Sequence, residues 1–146
     1  MEFNESKHVI SKRLSSNDIG KNGAHQSGIL IPKNPKILSL FPNLPINVKN
    51  PRVKLKFKDI NDKEWFFSFI YYNNRLFGGT RNEYRLTCMT SFIKQNDLEI
   101  GDEVIFSMNE FCERHIWYKH AFSSHTLRDG VIRLSNNWKI IRLKED

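Results

Sequence analysis

Arg52-Val-Lys-Leu-Lys-Phe-Lys58 alternates basic and apolar residues without a break. Successive side chains of an extended chain point to opposite faces, so this segment reads as a half-buried strand. Val53, Leu55 and Phe57 form its inner face, and Arg52, Lys54, Lys56 and Lys58 its outer one. Asn61-Asp62 is a turn signal, and residues 64–72 are aromatic and apolar enough to be the returning strand of a hairpin. Alternation there puts Trp65, Phe67, Phe69 and Tyr71 together. Core is the favoured reading of that face over a base-stacking platform for single strands. A hairpin this apolar on one face has to be covered by further strands.

The rest of the chain supplies them. Residues 9–14, 28–32, 104–107, 114–118 and 138–142 are compact strand candidates, and residues 82–87 flank a turn-like segment after Asn73-Asn74. Residues 35–41, with proline in the first turn, and residues 90–95, with Thr90 as the cap, suit short helices. Residues 43–51 are a proline- and asparagine-rich loop, and residues 98–102 a tight connection. About seven short strands and two short helices, with no repeat, predict a mainly β open barrel or sandwich. Residues 1–8 read as a flexible start and residues 9–146 as one domain.

Two segments cannot be core. Lys12-Arg-Leu-Ser-Ser-Asn-Asp-Ile-Gly-Lys-Asn-Gly-Ala-His-Gln26 and Phe77-Gly-Gly-Thr-Arg-Asn-Glu-Tyr-Arg85 are crowded with hydrogen-bonding side chains and glycine. Such segments suit a polar surface with many chemical choices, as the edges of base pairs in the DNA major groove are. A net charge of +7 and a pI near 9.5 favour a polyanionic partner.

In the first segment Lys12 and Arg13 stand on a strand with opposite orientations, one able to reach a phosphate and the other a base edge. Ser15, Asn17 and Asp18 are short and directional. Asp18 can accept from a cytosine amino group, or Asn17-Asp18 can close a local turn. Lys21, Asn22, His25 and Gln26 complete the candidates there. In the second segment Arg81, Asn82, Glu83 and Arg85 offer the side chains that read guanine, adenine and cytosine edges. A solvated loop with an Arg–Glu ion pair is the bland alternative. Arg75 is placed to hold phosphate or to brace the arm. Lys33, Lys36 and Lys94 near helix ends are phosphate candidates, whereas the basic face of residues 52–58 reads as solvated.

These stretches resemble the pseudobarrel DNA-binding domain shared by plant B-three transcription factors and a group of restriction endonucleases. Residues 12–33 and 71–87 look like the two recognition segments of the N-terminal, effector-binding domain of the EcoRII restriction endonucleases. Phe92-Ile-Lys-Gln-Asn-Asp-Leu-Glu-Ile-Gly-Asp-Glu-Val-Ile-Phe106 is similar to the plant pattern of helix, turn, Gly-Asp and apolar strand. The resemblance implies a seven-stranded open pseudobarrel with two short helices. Its N-arm and C-arm would grip double-stranded DNA in the major groove, without a cofactor. Gly79 and Tyr84 stand where the EcoRII-type segment carries lysine, so the contact at Tyr84 would be of another kind. The resemblance also implies a nuclease domain elsewhere in the same full-length protein and a bacterial cytoplasmic setting.

Other classes find less support. The five histidines and two cysteines have no zinc spacing, and Cys88 and Cys112 read as reduced thiols. Asp59, Asp62 and Glu64 could seed a small metal-dependent nuclease, but read as a solvated turn. No apolar run is long enough for a membrane span, and the first residues do not form a secretion signal. A stand-alone regulator of the same fold is the main alternative.

Overall fold

The computed structural model describes residues 8–20, 28–121 and 137–143. Its centre is the expected hairpin. β3 (Arg52–Lys58) and β4 (Glu64–Asn73) pair in antiparallel register, Leu55 with Phe67 and Phe57 with Trp65. Leu55, Phe57, Trp65, Phe67 and Phe69 are all buried. Val53 is not. It lies at the end of β3 far from the single rung, Lys58 with His115, that joins this strand to the next wall, and it stays exposed. The turn also departs from expectation. Asp59 is buried rather than solvated: its carboxylate accepts from the Asn61 and Lys63 N–H groups and from the Trp65 indole, at 2.8, 3.0 and 3.0 Å. Asp62 and Glu64 remain exposed, so the three acids form no cluster.

Among the described residues eight strands form one curled sheet, where seven were expected. In chain order the remaining elements are β1 (His8–Arg13), α1 (Ser16–Ile19), β2 (Ile29–Ile31) and α2 (Pro35–Leu38), all before the hairpin. After it come β5 (Asn82–Thr87), α3 (Thr90–Gln95), β6 (Glu103–Met108), β7 (Arg114–Lys119) and β8 (Trp138–Arg142). Across the sheet the order is β2-β5-β4-β3-β7-β6-β1-β8. The Trp138 indole of one edge strand donates to the Leu30 carbonyl of the other at 3.0 Å. The result is an open barrel filled with rings. Phe41, Phe69, Tyr84 and Tyr71 stack in a column, with centroid spacings of 4.8, 5.5 and 4.3 Å. Phe106 lies edge-on to Phe41 and Phe57 and stacks on Trp138.

Three local expectations need correction. His8 belongs to β1 rather than to a frayed start: it pairs with Met108, and its Nε2 lies 2.8 Å from the Lys36 carbonyl. Residues 16–19, expected as loop, make a short helix because Ser15 and Asp18 form a reciprocal capping box. Thr90 is the first helical residue and not the cap, since the Ile93 N–H already reaches the Met89 carbonyl at 3.0 Å.

The Gly-Asp pair before β6 proves to be a clamp. Leu14 exchanges backbone bonds with Gly101 and Asp102. The Asp102 carboxylate accepts from Glu99 and Ala121 N–H groups at 2.8 Å each and lies 3.0 Å from His120 Nδ1. Burial alone would raise the Asp102 carboxyl, but these bonds outweigh it and hold the group below the ordinary aspartate range. A carboxyl depressed by folding contributes stability that is complete above the unfolded value, about pH 4, and is lost as pH falls through the folded value. Urea melts of Asp102→Asn should therefore show a weaker acid-induced loss of stability below about pH 4 than the parent.

Candidate nucleic-acid interface

The first arm leaves the barrel at the end of β1. Lys12 turns inward and is buried, with Nζ 3.2 Å from Asp18 Oδ2 and 3.2 Å from the Arg13 carbonyl. Arg13, half-buried, pairs in register with Glu103. Asp18 also takes the Ser15 N–H at 2.8 Å, so Ser15 and Asp18 together fix the first turn of the arm. Asn17 is exposed on that turn. Lys12, Asn17, Asp18, Gly28, Leu30 and Arg85 line most of a cleft of about 230 Å³ at the root of the arm. Lys21, Asn22, His25 and Gln26 lie outside the described residues.

Gly28 brings the chain back onto the sheet. Its φ is +92°, and a Cβ there would sit 2.6 Å from Thr87 Cγ2 and 2.7 Å from the Leu86 carbonyl oxygen. Only glycine allows both the conformation and the approach. Gly28→Ala is expected to lower stability by roughly 2–4 kcal/mol, read as a fall in the urea midpoint, because strain and overpacking act together.

The second arm is the connection between β4 and β5. A single 3₁₀ turn, Asn74–Phe77, is stopped by Gly78 at φ +91°. The arm braces itself: Asn74 N–H donates to the Arg81 carbonyl, Arg75 N–H to Asn82 Oδ1, and Arg75 Nε to the Thr80 carbonyl, at 2.9 to 3.2 Å. Arg75 thus acts as a brace while remaining exposed, and Asn82 has one acceptor engaged. Arg81 is exposed at the end of the arm. Glu83 and Arg85 form an ion pair, and Arg85 Nη1 donates to the Gly28 carbonyl at 3.1 Å. Arg85 therefore ties the second arm to the root of the first.

Tyr84 faces the ring column between Phe69 and Tyr71. Burial, and then the neighbouring Tyr71 hydroxyl, raises its phenol above the ordinary value. Lys33 is exposed just beyond β2, beside the strand that carries Tyr84. Lys94 is exposed on α3 but shares a groove with Asp97 and Glu99, which weaken its local field. Among the described residues, Arg81, Arg75, Asn17 and Lys33 are therefore the exposed members of the candidate set near the two arms.

One residue important for positioning gave no signal beyond a turn. Asn73 is buried at the foot of the second arm. Its Oδ1 accepts from Asn50 N–H at 2.8 Å, and its Nδ2 donates to the Ile46 and Val48 carbonyls at 3.1 and 2.7 Å. It docks the loop of residues 46–50 beneath the arm, a contact between distant segments that no local spacing announces. Among the described residues, no group of three or more His, Cys, Asp or Glu side chains could hold a metal ion.

Known proteins share this architecture. The type II restriction enzyme EcoRII of Escherichia coli is 43% identical over 88 residues, which cover 57% of this chain and 21% of that enzyme. The AP2/ERF and B3 domain-containing transcription factor RAV1 of Arabidopsis thaliana is 29% identical over 90% of this chain and 36% of its own length. The chain thus spans between a fifth and about a third of these relatives. In three dimensions the protein chain of the Arabidopsis FUS3-DNA complex superposes with a TM-score of 0.60 at 18% identity, over 77% of this chain and 96% of that one, which gives the fold as the B-three-like pseudobarrel. Residues 3–126 match the family described as restriction endonuclease EcoRII, N-terminal, and the chain belongs to that family.

Proposed function

We propose that the chain binds double-stranded DNA site-specifically in the major groove, as the target- or effector-recognition part of a longer restriction endonuclease. The observation that carries this reading is the joint root of the arms. Arg85 holds the Gly28 carbonyl and the Glu83 carboxylate at once, so the roots of the two polar segments are held side by side on β2 and β5. A pair of arms with fixed spacing can read adjacent base pairs together, which one flexible loop cannot do without a larger ordering cost. Membership of the EcoRII N-terminal family and the fold shared with a protein solved on DNA support it. Strand cleavage would then belong to another part of the longer protein, in a bacterial cytoplasmic setting. The likeness to a transcription factor over most of the chain favours one second reading, a DNA-binding regulator. The domain content of the full gene product separates the two.

Selection from a random duplex library at about 0.15 M salt tests the reading, because nonspecific attraction is largely screened there. One enriched short motif is the expected result. Binding that fades smoothly with salt and enriches nothing would reduce the chain to a nonspecific basic barrel.

A further inference from the structure

A second polar cleft lies far from the arms. In the sheet order the β3–β7 junction is the one farthest from the β2–β8 seam, and its strands run parallel with a single rung. There a cleft of about 340 Å³ opens, lined mainly by Lys54, Lys56, Lys58, Glu113, Arg114 and His115. His115 is only 5% exposed, and among the described residues its ring makes no bond of good geometry, although the Lys58 backbone beside it favours the charged form. Its cross-strand neighbour Ser107 carries a buried hydroxyl that also lacks a hydrogen-bond partner. Buried polar side chains are paired in the large majority of cases, and each orphan costs about 1–3 kcal/mol. An imidazole left this way, in a cleft with room beside it, is built to meet something that enters.

The lining says what that is. Four cations face Glu113, and Glu64, 3.5 Å from Lys56, offsets one more charge, so positive charge remains in excess. Arg114 uses Nε on the Leu40 carbonyl at 2.8 Å, which leaves the other guanidinium nitrogens as its remaining donors. Burial outweighs the Lys58 backbone bond and holds His115 below the ordinary imidazole value, so the neutral ring is favoured near pH 7. Several convergent donors around excess positive charge suit a tetrahedral anion with several acceptor oxygens better than a carboxylate with two. We propose that this cleft binds a phosphate group at a site separate from the two arms. The phosphate is either a small free ligand or a phosphodiester of DNA outside the recognised site.

The test follows the His115 ring by NMR while inorganic phosphate, thymidine 5′-monophosphate and a duplex longer than the selected site are added in turn. Inorganic phosphate should move the His115 signals and raise its titration midpoint, since a bound anion favours the imidazolium. The double variant Lys54→Gln/Lys58→Gln should weaken that response about tenfold or more, the loss expected for charge-assisted bonds. It should leave the preference of the arms for selected over scrambled short duplex unchanged. Lys54→Gln alone, at an exposed position, should weaken the response several-fold and serves if the double variant folds poorly. A response to the mononucleotide but not to DNA assigns a free phosphate ligand; a response to the long duplex alone assigns the DNA backbone. His115 signals indifferent to all three probes, or unchanged affinity in the lysine variants, would overturn the proposal and leave an ordered water as the partner of His115.

Discussion

Lys12→Met should lower folding stability by about 3–5 kcal/mol, the loss typical when one member of a buried ion pair is removed. Lys12 Nζ and Asp18 Oδ2 are 3.2 Å apart, and both side chains are more than nine-tenths buried. The methionine keeps most of the stem's packing, so the loss would come from the charge left on Asp18. Against a total stability of about 5–15 kcal/mol for a domain, that is a large fraction. Urea unfolding reads it directly. A variant of near-parental stability that no longer binds duplex would place Lys12 on phosphate instead, released from Asp18 when DNA arrives.

Arg81→Ala should behave in the opposite way. Arg81 is exposed on the second arm, so its loss leaves stability within about 0.5 kcal/mol of the parent. If it reads a guanine edge, specific binding weakens by about 1–3 kcal/mol, roughly five- to 150-fold, while binding to unrelated duplex changes far less. Titration of selected and scrambled duplexes at one salt concentration separates these terms. Unchanged selected-site binding would remove Arg81 from the recognition set. Lys54→Ala is the control: it should weaken both duplexes alike at most, with a flatter salt dependence.

The architecture was largely legible because it rests on periodicity. Alternation in residues 52–58 gave the strand, and the ring positions 65, 67 and 69 gave its buried mate, since a pleated chain has no other way to hide them. Val53 escaped because burial at a strand end depends on what the next wall covers. The arms were legible as places but not as contacts. Lys12 and Asp18 lie on a strand and a helix, where no single period relates them, so their pairing could not be read in advance. By residue type Arg85 is a probe of bases, yet it also spans to Gly28, 57 positions away in the chain. Asn73 and Asp102 act through distant backbone groups, and such bonds leave no mark in local composition.

The join between Trp138 and Leu30 gives the first arm an unusual footing. Its two feet, β1 and β2, stand near opposite margins of the sheet, and the curl of the sheet brings β2 up to β8, the neighbour of β1. Among the described residues, no ladder of backbone bonds runs between β2 and β8. The arm therefore leaves from one side of a slit and returns on the other, rather than standing on a continuous wall. The Trp138 indole, fully buried against Phe106, bridges that slit. Whatever closes the slit would stiffen the whole cylinder, and whatever stiffens the cylinder would set the width of the grip.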